Sequence, residues 1–296
     1  MVPDILLLGA NGQVGWELSR SLSTVGAVHA VTRQECDVSD PAALRTLIHT
    51  RRPSIIVNAT AYTAVDKAES EPDKARAINV EVPALLAAEA KASGALLIDY
   101  STDYVFDGST RDVYLESDAT APLSVYGQTK LEGLRAIEAS GCRHLVFRVS
   151  WVYAARGGNF LRTILRLARE REQLSVVADQ FGAPTPADLI ADVTAQCLML
   201  LRNGKGSEGV YHLAPSGETT WHGFASAIVR EAVAAGIPLK LLPENIRAIT
   251  TAEYPTAAKR PANSRLDTNK IRSTFGLALP SWERPLPRII RETTQS

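Results

Sequence analysis

The chain of 296 residues is poor in cysteine, methionine and histidine, and it carries no net charge. Cys36, Cys142 and Cys197 are odd in number and far apart, which fits neither a disulfide framework nor a zinc site. The five histidines have no ligand spacing, so no metal is expected. With 32 basic and 32 acidic side chains, nothing favours nucleic acid or an anionic membrane surface as a partner. No apolar run approaches the ~20 residues of a spanning helix. The start, Met1-Val2-Pro3-Asp4, lacks the basic and apolar segments of a secretory signal. The expectation is a reduced, cytoplasmic protein that acts on small molecules.

What is present is an alternation. Strand-like runs at 5–8, 28–31, 55–57, 95–100 and 145–149 are separated by helical patterns at 12–24, 41–50, 73–93 and 124–140. Continuous apolar strands between helices predict a parallel sheet covered on both faces, a Rossmann-type doubly wound α/β fold. Ligands of such sheets gather beyond the carboxyl ends of the strands. Gly9, Thr32-Arg33, Asn58-Ala59, Ser101-Thr102 and Ser150-Trp151 fall there. After Trp151 the rhythm loosens into helices at 160–171, 188–202 and 221–235, a strand at 210–213 and a final helical pair. The expected division is a dinucleotide-binding domain over 1–150 and a smaller substrate region over 151–296, with 188–202 packing back on the first.

The turn Gly9-Ala10-Asn11-Gly12-Gln13-Val14-Gly15 follows the first strand and opens a helix. Gly9 permits a tight turn, Gly12 lets main chain approach a pyrophosphate, and Gly15 allows close helix packing. That context predicts a dinucleotide site. The second strand ends in Thr32-Arg33, and the short loop to Asp37 leaves no carboxylate at the ribose position. An arginine there accommodates a 2′-phosphate, so NADPH is expected, with NADH also usable. A solvent-facing charge is the plainer reading of Arg33. Asp37 and Val38 are placed over the adenine, and small Ala59 lets the cofactor pass close to the third strand.

Tyr126 and Lys130 are four apart, one helical turn from each other. A phenol titrates near pH ~10, and an adjacent ammonium favours the phenolate. Joined to the glycine turn, the pair points to hydride transfer with a tyrosine acid. In the C-terminal half, Lys259-Arg260-Pro261 is a basic loop that Pro261 keeps out of helix interior. The planar fork of Arg260 suits phosphate oxygens; a solvated basic loop is the alternative.

The glycine turn, Ser101-Thr102-Asp103-Tyr104-Val105-Phe106-Asp107-Gly108 and Tyr126-Gly127-Gln128-Thr129-Lys130 together resemble the extended short-chain dehydrogenase/reductases. Ala64-Val65-Asp66-Lys67-Ala68-Glu69, Asp179-Gln180-Phe181-Gly182-Ala183-Pro184-Thr185 and Arg260-Pro261-Ala262-Asn263-Ser264-Arg265-Leu266 narrow the likeness to the dTDP-4-dehydrorhamnose reductases. The resemblance implies reduction of the C4 ketone of dTDP-4-dehydro-L-rhamnose to dTDP-L-rhamnose. It makes Tyr126 the proton donor, Lys130 the ribose contact and Thr102 the group that orients the ketone. It sets Asp103 and Trp151 near the sugar, and Asn11, Gly12, Gln13, Ala61, Tyr62 and Thr63 against the cofactor. With a dTDP sugar as the implied substrate, Arg260 is expected to hold its diphosphate, with Gln180 and Phe181 near its base or sugar. A homodimer is compatible with it. The chain departs from the pattern at Leu134, where an acidic residue is frequent, with Glu132 nearby. A reductase or epimerase of another nucleotide 4-keto sugar is the near alternative, and a non-catalytic nucleotide-binding regulatory subunit the distant one.

Overall fold

The computed structural model describes residues 2–293. Its nucleotide half runs β1 (Asp4–Leu8), α1 (Gln13–Ser21), β2 (Ala27–Val31), α2 (Pro41–Arg51) and β3 (Ile55–Asn58), then α3 (Val65–Ala68), α4 (Pro72–Arg76), α5 (Val82–Ser93), β4 (Leu96–Thr102), α6 (Val125–Ser140) and β5 (His144–Val149). The remainder runs β6 (Val152–Tyr153), α7 (Phe160–Glu170), β7 (Leu174–Val177), β8 (Phe181–Gly182), β9 (Thr185–Pro186), α8 (Ala187–Arg202), β10 (Gly209–Leu213), β11 (Thr219–Thr220), α9 (Trp221–Ala234), β12 (Ile246–Ile249), α10 (Asn269–Phe275) and α11 (Leu286–Glu292).

Six strands form one parallel sheet in the order β10-β5-β4-β3-β1-β2. Alternate strand residues enter different cores. Leu6, Leu8, Ile56, Leu97 and Val146 pack with Leu44, Leu86 and Leu134 of α2, α5 and α6. Ile5, Leu7, Val57, Ile98 and Phe147 pack with Leu18 of α1, Ile190 and Leu198 of α8, and Ile271 of α10. Burial on both faces is why these strands read as unbroken apolar runs. Each fully buried leucine contributes about 1.5–3 kcal/mol, so Leu6, Leu7 and Leu8 alone anchor β1 firmly between β3 and β2.

The nucleotide core therefore draws on residues well past 150: β10 is a strand of the main sheet, and α8 and α10 cover it. The rest of the C-terminal half has its own core, in which α7, α9 and α11 surround Phe224, Ile228, Leu241 and Ile290. The stretch expected as one helix over 73–93 is interrupted by a π turn at Ala77–Glu81. Extra-residue turns of this kind cluster at functional sites. Asn79 of that turn is buried and bonds the main chain of Tyr62 in both directions and the hydroxyl of Thr129 on α6.

The chain reverses its winding between β1 and β3, and in doubly wound sheets ligands bind at the carboxyl end of that switch point. The loops that meet there carry Gly9 and Ala59.

Candidate active site

At the switch point lies a cavity of about 300 Å³ lined by Gly9, Gly12, Arg33, Val38, Ala59 and Tyr62, among others. Gly9 is at φ +80°, a region open to glycine, and its N–H donates to Val31 O at 3.1 Å. A side chain on Gly15 would place its Cβ 2.1 Å from Gly9 O, so only glycine lets α1 start this close to the strand. Asn11 and Gly12 are exposed at the N-terminus of α1, where free amides and the helix dipole favour an anion. Val14 packs partly into the core beneath. Gln13 accepts from Asn159 Nδ2 at 2.8 Å, which ties the turn to the loop before α7. A cradle of bare main chain next to a cavity fits a dinucleotide.

The adenosine end is less open than the sequence suggested. Arg33 and Asp37 bond each other at 3.2 Å, with Arg33 81 % exposed. The loop does hold a carboxylate, Glu35, but it accepts the N–H and hydroxyl of Thr32 at 2.8 and 3.0 Å. Ala61 and Thr63 are exposed on the loop after β3, and the Tyr62 hydroxyl donates to Glu71 at 2.6 Å.

Tyr126 enters this site because Ser124 caps α6, accepting from Gly127 N at 3.2 Å. Gly127 lets the helix touch the short turn after β4: a Cβ there would lie 2.2 Å from Tyr104 O. That contact puts Tyr126 edge-on to Tyr104, ring centroids 5.5 Å apart, with the Thr102 hydroxyl near the Tyr126 phenol. Thr102 also donates to Asp103 Oδ1 at 3.0 Å and accepts from Tyr104 N.

Lys130 also has an acidic partner that was not expected. Lys130 is buried with Asp99, Nζ to Oδ1 3.7 Å, and its charge is matched there. Burial, with Asp103 adding to it, pushes the Tyr126 phenol up to about 12 despite the nearby Thr102 hydroxyl. Asp103 is buried too, its Oδ2 without a partner among the described residues, and its carboxyl is pushed up to about 6 by desolvation.

Across the cleft, Arg260 reaches toward the same point. Its guanidinium bonds Asp66 at 2.8 Å and approaches the Tyr104 phenol. Gln180 is buried, donating to Thr251 Oγ1 at 3.0 Å and accepting from Trp221 Nε1 at 3.1 Å. Trp151 is buried and stacked on Trp221 at 3.7 Å, so much of its surface is spent on packing. Its φ of +48° is a left-handed value rarely taken by a large residue, a strain of a kind that collects at functional sites. Phe181 is exposed, with Arg265 over its ring.

Asp99, Asn79, Tyr104 and Asp66 also stand at the site, and their roles were not anticipated. Asp99 had a signal, being the lone charge inside an apolar strand. Asp66 could not be linked to Arg260 across 194 positions of sequence.

The RmlD substrate binding domain family model matches residues 3–295. The chain belongs to the dTDP-4-dehydrorhamnose reductase family. It is 49% identical to dTDP-4-dehydrorhamnose reductase of Escherichia coli (strain K12) over 98% of this chain and 97% of that one. It is 47% identical to the enzyme of the same name from Burkholderia thailandensis, over 97% and 98%. The crystal structure of dTDP-4-dehydrorhamnose reductase from Bacillus anthracis in complex with NADP superposes with a TM-score of 0.90 at 33% identity, covering 99% of this chain and all of that one. This chain and that structure thus share the fold from end to end.

Proposed function

We infer that this chain reduces the C4 ketone of dTDP-4-dehydro-L-rhamnose to the alcohol of dTDP-L-rhamnose, using NADPH and accepting NADH. The observation that carries this reading is the Tyr126 ring set against Tyr104 at the start of α6, with a glycine-turn cavity, in a chain 49% identical to an enzyme of that name.

Gly9, Asn11, Gly12, Gln13, Val14 and Gly15 would hold the cofactor's pyrophosphate, with Arg33, Asp37 and Val38 at the adenosine end. Ala59, Ala61, Tyr62 and Thr63 would flank its middle, and Lys130 its nicotinamide ribose. When bound, the cofactor supplies the hydride. Tyr126 supplies the proton: its O–H bond breaks as a bond forms to the oxygen on which negative charge develops, and water later restores the phenol. Thr102 orients the ketone oxygen toward Tyr126, a fixed dipole aimed where charge grows. Asp103 stands at the sugar. Trp151, Gln180 and Phe181 form the wall beyond it, and Arg260 takes the diphosphate.

The reading extends to a homodimer in the cytoplasm. The three cysteines are free and buried, as suits a reducing compartment, and sedimentation measures the assembly. Steady-state oxidation of NADPH and NADH with authentic dTDP-4-dehydro-L-rhamnose, with the product sugar identified, tests the function. Turnover only with another nucleotide 4-keto sugar would move the chain to a sister reductase or epimerase. Cofactor binding without turnover on any such sugar would make it a nucleotide-binding regulatory subunit.

A further inference from the structure

The segment Ala64-Val65-Asp66-Lys67-Ala68-Glu69 is distinctive in the sequence, yet the reaction as written gives it no task. It forms α3 and its C-cap, shortly after residues 59–62, which line the cofactor cavity. The turn is firmly anchored. Asn79 bonds the main chain of Tyr62 in both directions, the Tyr62 hydroxyl donates to Glu71, and Ala68 is fully buried. From this turn Glu69 Oε1 accepts the N–H of Val125, the first residue of α6, at 2.8 Å. Asp66, three residues earlier, reaches across the cleft. Its Oδ1 accepts from Ala258 N at 3.1 Å and its Oδ2 from Arg260 Nη2 at 2.8 Å.

Bonds to two residues of one strap fix both its course and the direction of its cation. Ala258 is buried, and Pro261 restricts Arg260 to extended backbone. Beyond Pro261 the strap is clamped as well. A Cβ on Gly108 would lie 2.6 Å from Ala262 N, and Phe181 N donates to Ala262 O at 2.8 Å. A guanidinium has five N–H donors in a planar fork. Asp66 occupies one amino group and the Tyr104 phenol faces the fork, so the exchange that a diphosphate requires falls on the donors Asp66 leaves. The Asp66 side chain is 45% exposed and that of Arg260 24%, so water screens the carboxylate more than the cation. Asp66 therefore orients the guanidinium more than it cancels it.

We propose that Asp66 is a positioning residue for the substrate's diphosphate: from the cofactor-side turn it holds residues 258–260 so that Arg260 meets the phosphates already oriented. This rests on the nucleotide-sugar substrate inferred above. A free arginine would have to be ordered as the ligand arrives, and immobilising one long side chain costs about two- to tenfold in affinity. Held in advance by Asp66, Arg260 avoids that loss. The same turn borders the cofactor cavity and, through Glu69, the start of α6. One anchor thus sets the phosphate end of the sugar nucleotide against Tyr126.

The test is calorimetry of dTDP and of NADPH on the full chain carrying Asp66→Ala, Arg260→Ala or both. Asp66→Ala should weaken dTDP binding about two- to tenfold and leave NADPH affinity at the parental value. The double variant should bind dTDP as Arg260→Ala alone does, because Asp66 acts through that arginine. With the sugar ketone, KM should rise by the same factor while kcat stays near the parent's, a split that general loosening of the cleft would not give. Asp66→Asn keeps an oxygen for Ala258 N and removes the charge. It should give a smaller loss of the same kind, and it decides the matter if Asp66→Ala does not fold. Unchanged dTDP affinity in the Asp66 variants would overturn the proposal, and a raised affinity would make Asp66 a competitor of the phosphates instead. A further loss in the double variant, or an equal loss for NADPH, would overturn it too. A parent that binds dTDP but does not reduce the rhamnose precursor removes the reaction reading alone, since the binding cycle needs no turnover.

Discussion

On one side of the cleft the ligand-facing groups are main chain and small side chains, from Gly9 to Gly15 and from Ala59 to Ala61. On the other they are long side chains already bonded to one another, Arg260 to Asp66 and Gln180 to Trp221 and Thr251. The two walls bind by different physics. Amides in the first turn of a helix such as α1 lack intrahelical partners and can accept an anion without rearrangement. A side-chain wall that must exchange one set of bonds for another gains little net affinity from the exchange. The first wall tolerates no added atom, and the second tolerates truncation at a modest loss.

The sharpest way to break the comparison is to add one methyl group to the main-chain wall. Gly15→Ala places a Cβ against Gly9 O, and we expect a loss of about 3 kcal/mol in stability and of measurable NADPH binding. Thermal unfolding with and without cofactor checks this, and a parental melting curve would show that α1 can retreat.

The next effect lies between the walls. The Asp103 carboxyl rises from its ordinary 3.8 to about 6 on folding, so the folded state binds the proton more tightly. Its favourable contribution is complete below 3.8 and lost as pH climbs through 6. Asp103→Asn removes that loss and should stabilise the cofactor-free protein by about 3 kcal/mol at most near pH 8, with no gain near pH 4. Activity should fall at the same time, a site residue held at the expense of stability. Equal gains at both pH values would assign the effect to packing.

A smaller change is expected at the side-chain wall. Arg260→Ala should weaken dTDP binding about tenfold, the scale of one charge-assisted hydrogen bond, and leave NADPH affinity unchanged. Calorimetry separates the two ligands. Unaltered dTDP affinity would mean that Arg260 serves only its pair with Asp66. The smallest effect belongs to Arg33, mostly exposed and shared with Asp37. Arg33→Ala should raise the apparent KM for NADPH about threefold and leave that for NADH alone. Equal changes for both cofactors would make it a surface charge.

The two walls were unequally legible in the sequence. The main-chain wall depends on residues adjacent in the chain, and glycine spacing after an apolar strand reports it directly. The helix bearing Tyr126 and Lys130 was legible for the same reason, its Ser124 cap and four-residue spacing being local. Three features were hidden. The π turn at Ala77–Glu81 carries Asn79, whose partners Tyr62 and Thr129 are distant in sequence, so Asn79 gave no local sign of its role. β10 was recognisable as a strand, but its place beside β5 depends on chain closure and not on its own residues. The side-chain wall joins segments from opposite ends of the chain, as Asp66 with Arg260 and Gln180 with Trp221. The pairing of Lys130 with Asp99 was hidden at this level too, because Asp99 comes from another element.

Tyr126 is where the two walls meet, and its variant tests the account most directly. Tyr126→Phe removes one oxygen that neither wall needs for binding. NADPH and dTDP affinities, measured by calorimetry, should stay near parental values while turnover of the sugar ketone falls by roughly 10²-fold or more. Turnover close to that of the parent would contradict the assignment of the proton to Tyr126, and with it the chemistry proposed for the cleft.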